Sequence, residues 1–221
     1  MTRNRKIALI TALSLLAAGA ITATVLSFIP AYRVTPADLS NLTEDERFMA
    51  QAFAEIGKTN PADGYPVGAM VVREGKIIGR SSNRLFSTNN PTQHAEYRAV
   101  DEAIEKIQRQ YPNEKYPDFF KDATVYVTLE PCPMDAGKIT TLRFKKVVYC
   151  DIDEDWGGFG TVSSPSGFPH QVNVEQSTLP LCRQLRARPG WNFPELWELG
   201  KSYAQATNQV PSRLSELLRG F

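Results

Sequence analysis

The sequence has no internal repeat and no low-complexity tract, which excludes a repeat array. It also lacks an excess of charge of one sign, because 25 Lys and Arg residues stand against 24 Asp and Glu residues. A chain so close to neutral has no overall attraction for polyanions, and this weakens a nucleic-acid-binding function without excluding a local basic patch. Its 42% hydrophobic and 22% charged residues are typical of a globular protein rather than a disordered or fibrous one.

Histidine and cysteine are scarce. The chain has two histidines, His94 and His170, and three cysteines, Cys132, Cys150 and Cys182. Three cysteines cannot all pair with one another, so at least one thiol stays outside any intramolecular disulfide. Cys150 and Cys182 are the candidates for a disulfide in an oxidising compartment, and two unrelated buried thiols are the alternative. For His170, which follows a glycine and a proline in a loop, we expect a surface role rather than metal ligation.

A long apolar run lies near the start of the chain. Arg3, Arg5 and Lys6 precede an uncharged, mostly apolar segment over residues 7–29. These 23 residues are enough to cross a hydrocarbon core about 30 Å thick as a helix. The run therefore predicts an uncleaved transmembrane anchor. A signal peptide cleaved after Ala20 and a buried core helix are the alternatives.

The charges that flank this run predict its orientation. Basic residues precede it and acidic residues follow it, which indicates an amino terminus in the cytoplasm and the rest of the chain outside it. The expected organisation is an anchor over residues 1–29, a tether over 30–41 and one domain over 42–221. The expected localisation is a single-pass membrane protein, or a secreted or periplasmic one if the first segment is cleaved. Without its three basic flanking residues the chain has 22 Lys and Arg against 24 Asp and Glu, a balance of about −2.

Helical and extended patterns alternate in the predicted domain. A capping-box-like start at Thr43 predicts a helix to about Glu55, and two β-rich segments joined at Glu74-Gly75 predict a hairpin. Helices that alternate with strands after a hairpin indicate one mixed sheet with helices on both faces. The remaining predicted elements are a helix over 94–109, a strand over 124–129, a helix over 132–143 and a strand over 146–150.

Two short segments carry residues suited to metal chemistry. His94-Ala95-Glu96 opens one predicted helix, and residues 130–135, which include Cys132 and Asp135, open the next. Each follows a strand or an extended loop, so both should face a cleft at the carboxyl ends of the strands. A metal ion needs convergent ligands, whereas a glutamate two residues after a histidine stays close without being a ligand. Such a carboxylate can take a proton from an activated water and return it to a leaving amine.

These segments resemble the two signature blocks of the cytidine deaminase-like superfamily. Residues 90–96 match its H-x-E block, and residues 125–134 match the start of its P-C-x-x-C block. The branch of tRNA adenosine deaminases and guanine deaminases is most similar, since it also has counterparts of Gly137, Arg143 and the strand over 147–149. The resemblance covers residues 42–161. It implies an α/β fold, a three-layer α/β/α sandwich with a mixed sheet of about five strands, preceded in this chain by the transmembrane helix.

The resemblance also implies a function and a set of site residues. It implies a zinc-dependent hydrolase of C–N bonds in cyclic amidines, a deaminase of a small nucleobase or nucleoside, with a purine preferred. Zn²⁺ would be held by His94, Cys132 and Asp135, with Glu96 as the catalytic acid and base and Asn83 as a base-contacting residue. The expected partners are the small-molecule base or nucleoside and, through the anchor, the membrane. Nucleic acid is a weaker candidate partner, and a homodimer stays open.

One position departs from the family pattern, because Asp135 stands where P-C-x-x-C has its second cysteine. Carboxylate oxygen is an accepted zinc ligand and preserves the charge of a thiolate. The alternative is that Asp135 caps a helix in a metal-free, catalytically inactive binding protein that kept the fold. A deaminase that edits RNA is a further alternative. Glu130 is expected to satisfy backbone groups, and Trp156 and Phe159 are expected either to cover the base or to lie in the core.

Overall fold

The computed structural model describes residues 34–167, 169–187 and 193–209. Its elements in chain order are α1 (Pro36–Ser40), α2 (Glu44–Ile56), β1 (Gly68–Arg73), β2 (Lys76–Ser82), α3 (Ala95–Gln110), a 3₁₀ turn (Asp118–Phe120), β3 (Ala123–Leu129), α4 (Pro133–Thr141), β4 (Lys146–Asp151), β5 (Asn173–Gln176), α5 (Pro180–Arg186) and α6 (Phe193–Gln209).

The five strands form one mixed sheet in the order β2-β1-β3-β4-β5. β1 is antiparallel to both β2 and β3, whereas the β3–β4 and β4–β5 pairs are parallel. The hairpin turns at Glu74 and Gly75, whose φ angles of 54° and 70° are positive. A two-residue loop with two positive φ angles matches the twist of the strands that it joins. The predicted α/β fold with a mixed sheet of about five strands is thus confirmed.

Successive side chains of the central strands point to opposite faces of the sheet. Ala69 and Val71 of β1 and Val125 and Val127 of β3 lie in the core cluster on the α3 side. On the other face, the ring of Tyr126 packs 5.3 Å from that of Phe48 in α2. Apolar residues on both faces of β1 and β3 require a helical layer on each side.

Two glycines let these helices approach the strands closely. A Cβ atom on Gly68 in β1 would lie 2.0 Å from the carbonyl oxygen of Ala52 in α2. A Cβ atom on Gly79 in β2 would lie 2.0 Å from the carbonyl oxygen of Ala99 in α3. Any larger residue would push the helix away, so these glycines set the distance of α2 and α3 from the sheet.

The parallel strands β3 and β4 end side by side at one edge of the sheet, and α4 connects them. β3 ends at Leu129, α4 returns along the sheet, and β4 ends at Asp151 next to Leu129. The carboxyl ends of parallel strands meet at one edge of a sheet, where α/β proteins commonly bind ligands. The amino terminus of α3 reaches the same edge, because Ala95 N–H donates to Asn83 Oδ1 and Asn83 N–H donates to Val67 O.

A disulfide ties the end of β4 to the part of the chain that follows the sheet. Cys150 in β4 is bonded to Cys182 in α5, so Cys132 is the free cysteine. Arg186 of α5 donates to the carbonyl oxygens of Cys150 and Ser177. α5 is therefore held against the strand end by a covalent bond and by hydrogen bonds.

The predicted transmembrane helix and the localisation inferred from it need correction. Among the described residues, no helix combines the length and the apolar composition needed to cross a membrane. The longest described helix, α6, has 17 residues, including charged Glu195, Glu198 and Lys201, whereas a crossing needs about 20 mostly apolar residues. The predicted anchor over residues 1–29 lies outside the described residues. None of the described residues is therefore assigned to a membrane segment, and the predicted single-pass topology with an external catalytic domain is withdrawn.

Candidate active site

Two helix amino termini present the predicted metal ligands. His94 is the N-cap of α3 and Cys132 is the N-cap of α4, both with extended backbone conformation. Glu96 lies in the first turn of α3 and Asp135 in the first turn of α4. Pro133 starts α4 at a position where proline is favoured, because its missing N–H would be unpaired there. The helix dipoles at both termini favour anionic side chains and ligands.

His94, Cys132 and Asp135 converge on one point. Asp135 Oδ2 lies 3.0 Å from His94 Nδ1 and 3.1 Å from Cys132 Sγ, and Sγ lies 3.9 Å from Nδ1. One donor atom from each of the three residues falls within 4.8 Å of the other two. The fold thus brings together residues that are up to 41 positions apart in the sequence. Imidazole nitrogen, thiolate sulfur and carboxylate oxygen are all established zinc donors.

The buried acidic groups around His94 favour binding of a cation. Asp135 is 1% exposed and Glu96 is 4% exposed. Burial, followed by the negative charge of Asp135, raises the pKa of Glu96 and raises the pKa of the Cys132 thiol to about 12. The hydrogen bond with Asp135 raises the pKa of His94. Several acidic groups buried around one histidine are costly unless a positive charge joins them.

An unpaired oxygen supports the same conclusion. Asp135 Oδ1 is buried and has no hydrogen-bond partner, and the partners of Oδ2 are His94 and Cys132 rather than backbone N–H groups. A capping role would place a backbone N–H on one of these oxygens. The residues therefore fit a divalent metal ion, which would be held by His94, Cys132 and Asp135.

The cluster lies in a cleft of about 920 Å³. A cleft of this size is in the range that holds small organic ligands. Aromatic, apolar and acidic side chains line it, together with one basic residue of the described chain: Tyr65, Val67, Asn83, Pro91, His94, Glu96, Leu129, Glu130, Cys132, Pro133, Met134, Asp135, Asp151, Ile152, Asp153, Glu154, Asp155, Trp156 and Arg186.

Comparison with known proteins identifies the family. Residues 42–151 match the model of the cytidine and deoxycytidylate deaminase zinc-binding region. The chain is 34% identical to the tRNA-specific adenosine deaminase of Bacillus subtilis over 141 residues, which are 62% of this chain and 83% of that protein. It is 32% identical to the Aquifex aeolicus tRNA-specific adenosine deaminase, over 63% of this chain and 89% of that protein.

A solved structure agrees with the sequence comparison. A tRNA:A34 deaminase that edits A to I at the wobble position is 32% identical, with a TM-score of 0.52. The match covers 61% of this chain and all of that one. The chain belongs to the cytidine deaminase-like superfamily. It is therefore a deaminase with a zinc-binding region, and the predicted family and cofactor are confirmed.

Asn83 lies beside the candidate metal ligands. It is 5% exposed, and its Oδ1 accepts the hydrogen bond from Ala95 N–H at 2.7 Å, which fixes the orientation of the amide. Its side chain lines the cleft. A fixed amide at the wall of the cleft is suited to hydrogen bonding with the edge of a base, which is the role predicted for it.

Glu130 organises the loop that closes one side of the cleft. It is 2% exposed, and its Oε1 accepts hydrogen bonds from Phe159 N–H at 3.0 Å and from Thr161 N–H at 3.2 Å. Its Oε2 accepts from the Thr161 hydroxyl and from Asp153 N–H. The expectation that Glu130 satisfies backbone groups agrees with these contacts. The sequence motif does not show that these backbone N–H groups belong to a loop more than twenty residues after Glu130.

The two aromatic residues of this loop have different positions. Phe159 is partly buried and packs against the core, whereas Trp156 is 69% exposed and lines the cleft. Trp156 is thus placed to contact a ligand, and Phe159 is a packing residue. His170 Nε2 bonds with the carbonyl oxygen of Phe144 at 2.8 Å, and His170 does not belong to the group of possible metal ligands among the described residues.

Acidic residues at the mouth of the cleft did not enter the sequence-based set of site residues. Asp151 ends β4, and Asp153, Glu154 and Asp155 follow it along the rim. The signal for them was the acidic run directly after a predicted strand. Local sequence did not show that β4 ends beside β3, close to the candidate metal ligands that follow β3 in the chain.

Proposed function

We propose that this deaminase hydrolyses the exocyclic amine of a small, unphosphorylated nucleobase or nucleoside, with a purine preferred. The acidic rim of the cleft carries the proposal, because it disfavours phosphate groups at the point where a substrate enters. The preference for a purine is supported by the relatives that are 32–34% identical, which are named tRNA-specific adenosine deaminases and thus act on a purine.

The catalytic residues would be those gathered at the two helix termini. The chemistry that zinc supplies at His94, Cys132 and Asp135 is Lewis-acid activation of water. Glu96, buried beside Asp135, would take a proton from the attacking water and deliver it to the leaving amine. Asn83 would orient the base through its amide. Trp156 would offer an aromatic face at the cleft mouth.

Two basic residues near the signature blocks, Lys138 and Lys146, are paired with acidic side chains. Lys146 begins β4, five residues before Asp151 and thus about 17 Å along the strand from the cleft. It is paired with Asp45 at 2.7 Å and Glu175 at 2.9 Å. Lys138 is paired with Asp101 at 2.7 Å. These lysines therefore leave little positive potential for a phosphate backbone at the cleft.

Arg186 is the basic residue that lines the cleft in the described chain. Its guanidinium donates to the carbonyl oxygens of Cys150 and Ser177. Some of its N–H groups are therefore already hydrogen-bonded within the protein. Binding of several phosphates calls for a cluster of Lys and Arg. A single arginine beside four rim carboxylates does not supply that cluster.

Ammonia release by the zinc-loaded protein tests this proposal. The substrates are adenine, guanine and cytosine, their nucleosides, the corresponding 5′-monophosphates and a tRNA anticodon stem-loop. We expect turnover of a base or nucleoside and a lower kcat/KM for its monophosphate. Deamination of the stem-loop alone, with an affinity that falls steeply with salt, would favour RNA editing and refute the proposal.

A charge-neutralised rim provides the matched variant. Asp153→Asn, Glu154→Gln and Asp155→Asn together remove three negative charges without removing a metal ligand. We expect this variant to narrow the difference in kcat/KM between the nucleoside and its monophosphate. An unchanged ratio would show that the rim does not select against phosphate.

A further inference from the structure

The third metal donor differs chemically from the thiolate at the same position of the family motif. We infer that Asp135 makes the site a mixed nitrogen, sulfur and oxygen centre that discriminates zinc from harder divalent ions less strongly than a two-thiolate centre does. The inference concerns the metal site alone and does not depend on which base is deaminated.

The contacts of Asp135 single it out as a donor. Its Oδ2 faces both His94 Nδ1 and Cys132 Sγ, at 3.0 Å and 3.1 Å. Its Oδ1 is buried without a partner. A carboxylate that is 1% exposed and has no backbone hydrogen bond to compensate it is unfavourable unless a cation binds there. A structural role in α4 does not explain this arrangement, whereas metal ligation does.

The replacement changes the softness of the site and preserves its charge. A carboxylate and a thiolate each carry one negative charge, so the attraction for a dication is similar in both sites. Thiolate ligands favour zinc, whereas carboxylate ligands suit harder ions such as Mn²⁺. With Cys132 as its one thiolate, this site keeps part of the preference for zinc. It lacks the additional preference for zinc that a second thiolate ligand would give.

Other acidic residues of the cleft do not replace Asp135 in the described chain. The group whose donor atoms lie within 4.8 Å of one another consists of His94, Cys132 and Asp135. Glu96 is close enough to interact electrostatically with Asp135 but is not part of that group. Substitution of Asp135 therefore changes the donor set directly.

Metal titrations of the full chain, stripped of metal, test the inference without a substrate. Cobalt absorbs through sulfur-to-metal charge transfer, so the intensity of that band reports the number of thiolate ligands. We expect one thiolate in the parent protein and about twice the band intensity in Asp135→Cys. Competition between Zn²⁺ and Mn²⁺ then gives the selectivity ratio, which we expect to be larger in Asp135→Cys by roughly tenfold or more.

The isosteric Asp135→Asn variant tests the donor itself. Loss of groups that only support a ligand costs about 10–100-fold in metal affinity, and loss of a donor should cost at least as much. Asp118→Asn, the same change at an exposed position of the 3₁₀ turn, is the control and should bind cobalt as the parent does. Circular dichroism verifies that each variant is folded.

Two results would overturn the inference. Cobalt affinity of Asp135→Asn equal to that of the parent would show that Asp135 is not a donor. An equal Zn²⁺ to Mn²⁺ ratio in the parent and Asp135→Cys would show that the carboxylate does not set selectivity. Both readouts are independent of turnover, so a failure to find the substrate would not affect them.

Discussion

Glu130→Gln tests whether one buried carboxylate holds the rim of the cleft in place. The change keeps the size and shape of the side chain but replaces one acceptor oxygen with an NH₂ group. The amide nitrogen is best placed at the Oε2 position, where the Thr161 hydroxyl can turn and accept. Phe159 N–H and Thr161 N–H then keep an acceptor oxygen, and Asp153 N–H loses its own.

The expected cost follows from the number and kind of these hydrogen bonds. A hydrogen bond to a charged group contributes about 1.5–3 kcal/mol, and an unpaired buried donor costs about 1–3 kcal/mol. Glu130→Gln weakens two bonds by removing the charge and breaks the long 3.4 Å bond from Asp153 N–H. We therefore expect a loss of about 2 kcal/mol in the free energy of unfolding. Glu130→Ala removes every acceptor and should cost more.

Urea unfolding followed by tryptophan fluorescence measures this loss. Glu105→Gln is the matched control, because that side chain lies on α3 and is 67% exposed, and it should change stability by less than about 0.5 kcal/mol. In kinetics with a substrate found by the ammonia assay, Glu130→Gln should raise KM by a larger factor than it lowers kcat. A stability loss below about 0.5 kcal/mol would refute the anchoring role of Glu130.

Three further predictions concern the chemistry and the core. Glu96→Gln should retain the metal by elemental analysis but lower kcat by about 10²–10⁴-fold. A kcat within about tenfold of the parent value would show that Glu96 does not transfer the proton. Phe144→Ala should cost about 3–5 kcal/mol in urea unfolding, because Phe144 is fully buried and stacks 4.2 Å from Phe120; a cost below about 1 kcal/mol would contradict it. Replacing Cys150 and Cys182 with serine should lower stability by about 3–4 kcal/mol for a separation of 32 residues, and an unchanged urea midpoint would show that the crosslink contributes nothing.

The regular elements near the motifs were predictable because their signals are local. The helix predicted over 44–55 is Glu44–Ile56, and the one predicted over 94–109 is Ala95–Gln110. The strand predicted over 146–150 is Lys146–Asp151. Apolar periodicity and capping residues act within a few positions along the chain, so they can be recognised without a tertiary structure.

The elements after β4 had no comparable signal. β5 is a four-residue edge strand, Asn173–Gln176, and none of its residues is fully buried. A strand at an edge needs no apolar alternation, because only its pairing with a neighbour holds it in the sheet. The helix α5 depends on its disulfide to Cys150, and the choice of that partner is a property of the fold. The sequence left the pairing open against two buried thiols.

The active-site residues could be named from the sequence because the segments that contain His94 and Glu96, and Cys132 and Asp135, resemble the two signature blocks of the family. Their convergence depends on the tertiary structure, because His94 and Cys132 lie 38 positions apart and only the packing of α3 and α4 on the sheet brings their amino termini together. The same holds for the loop bound by Glu130. Short-range patterns encode which donor atoms a helix presents, whereas strand order and packing decide which of those atoms lie close enough to share a metal ion and a substrate.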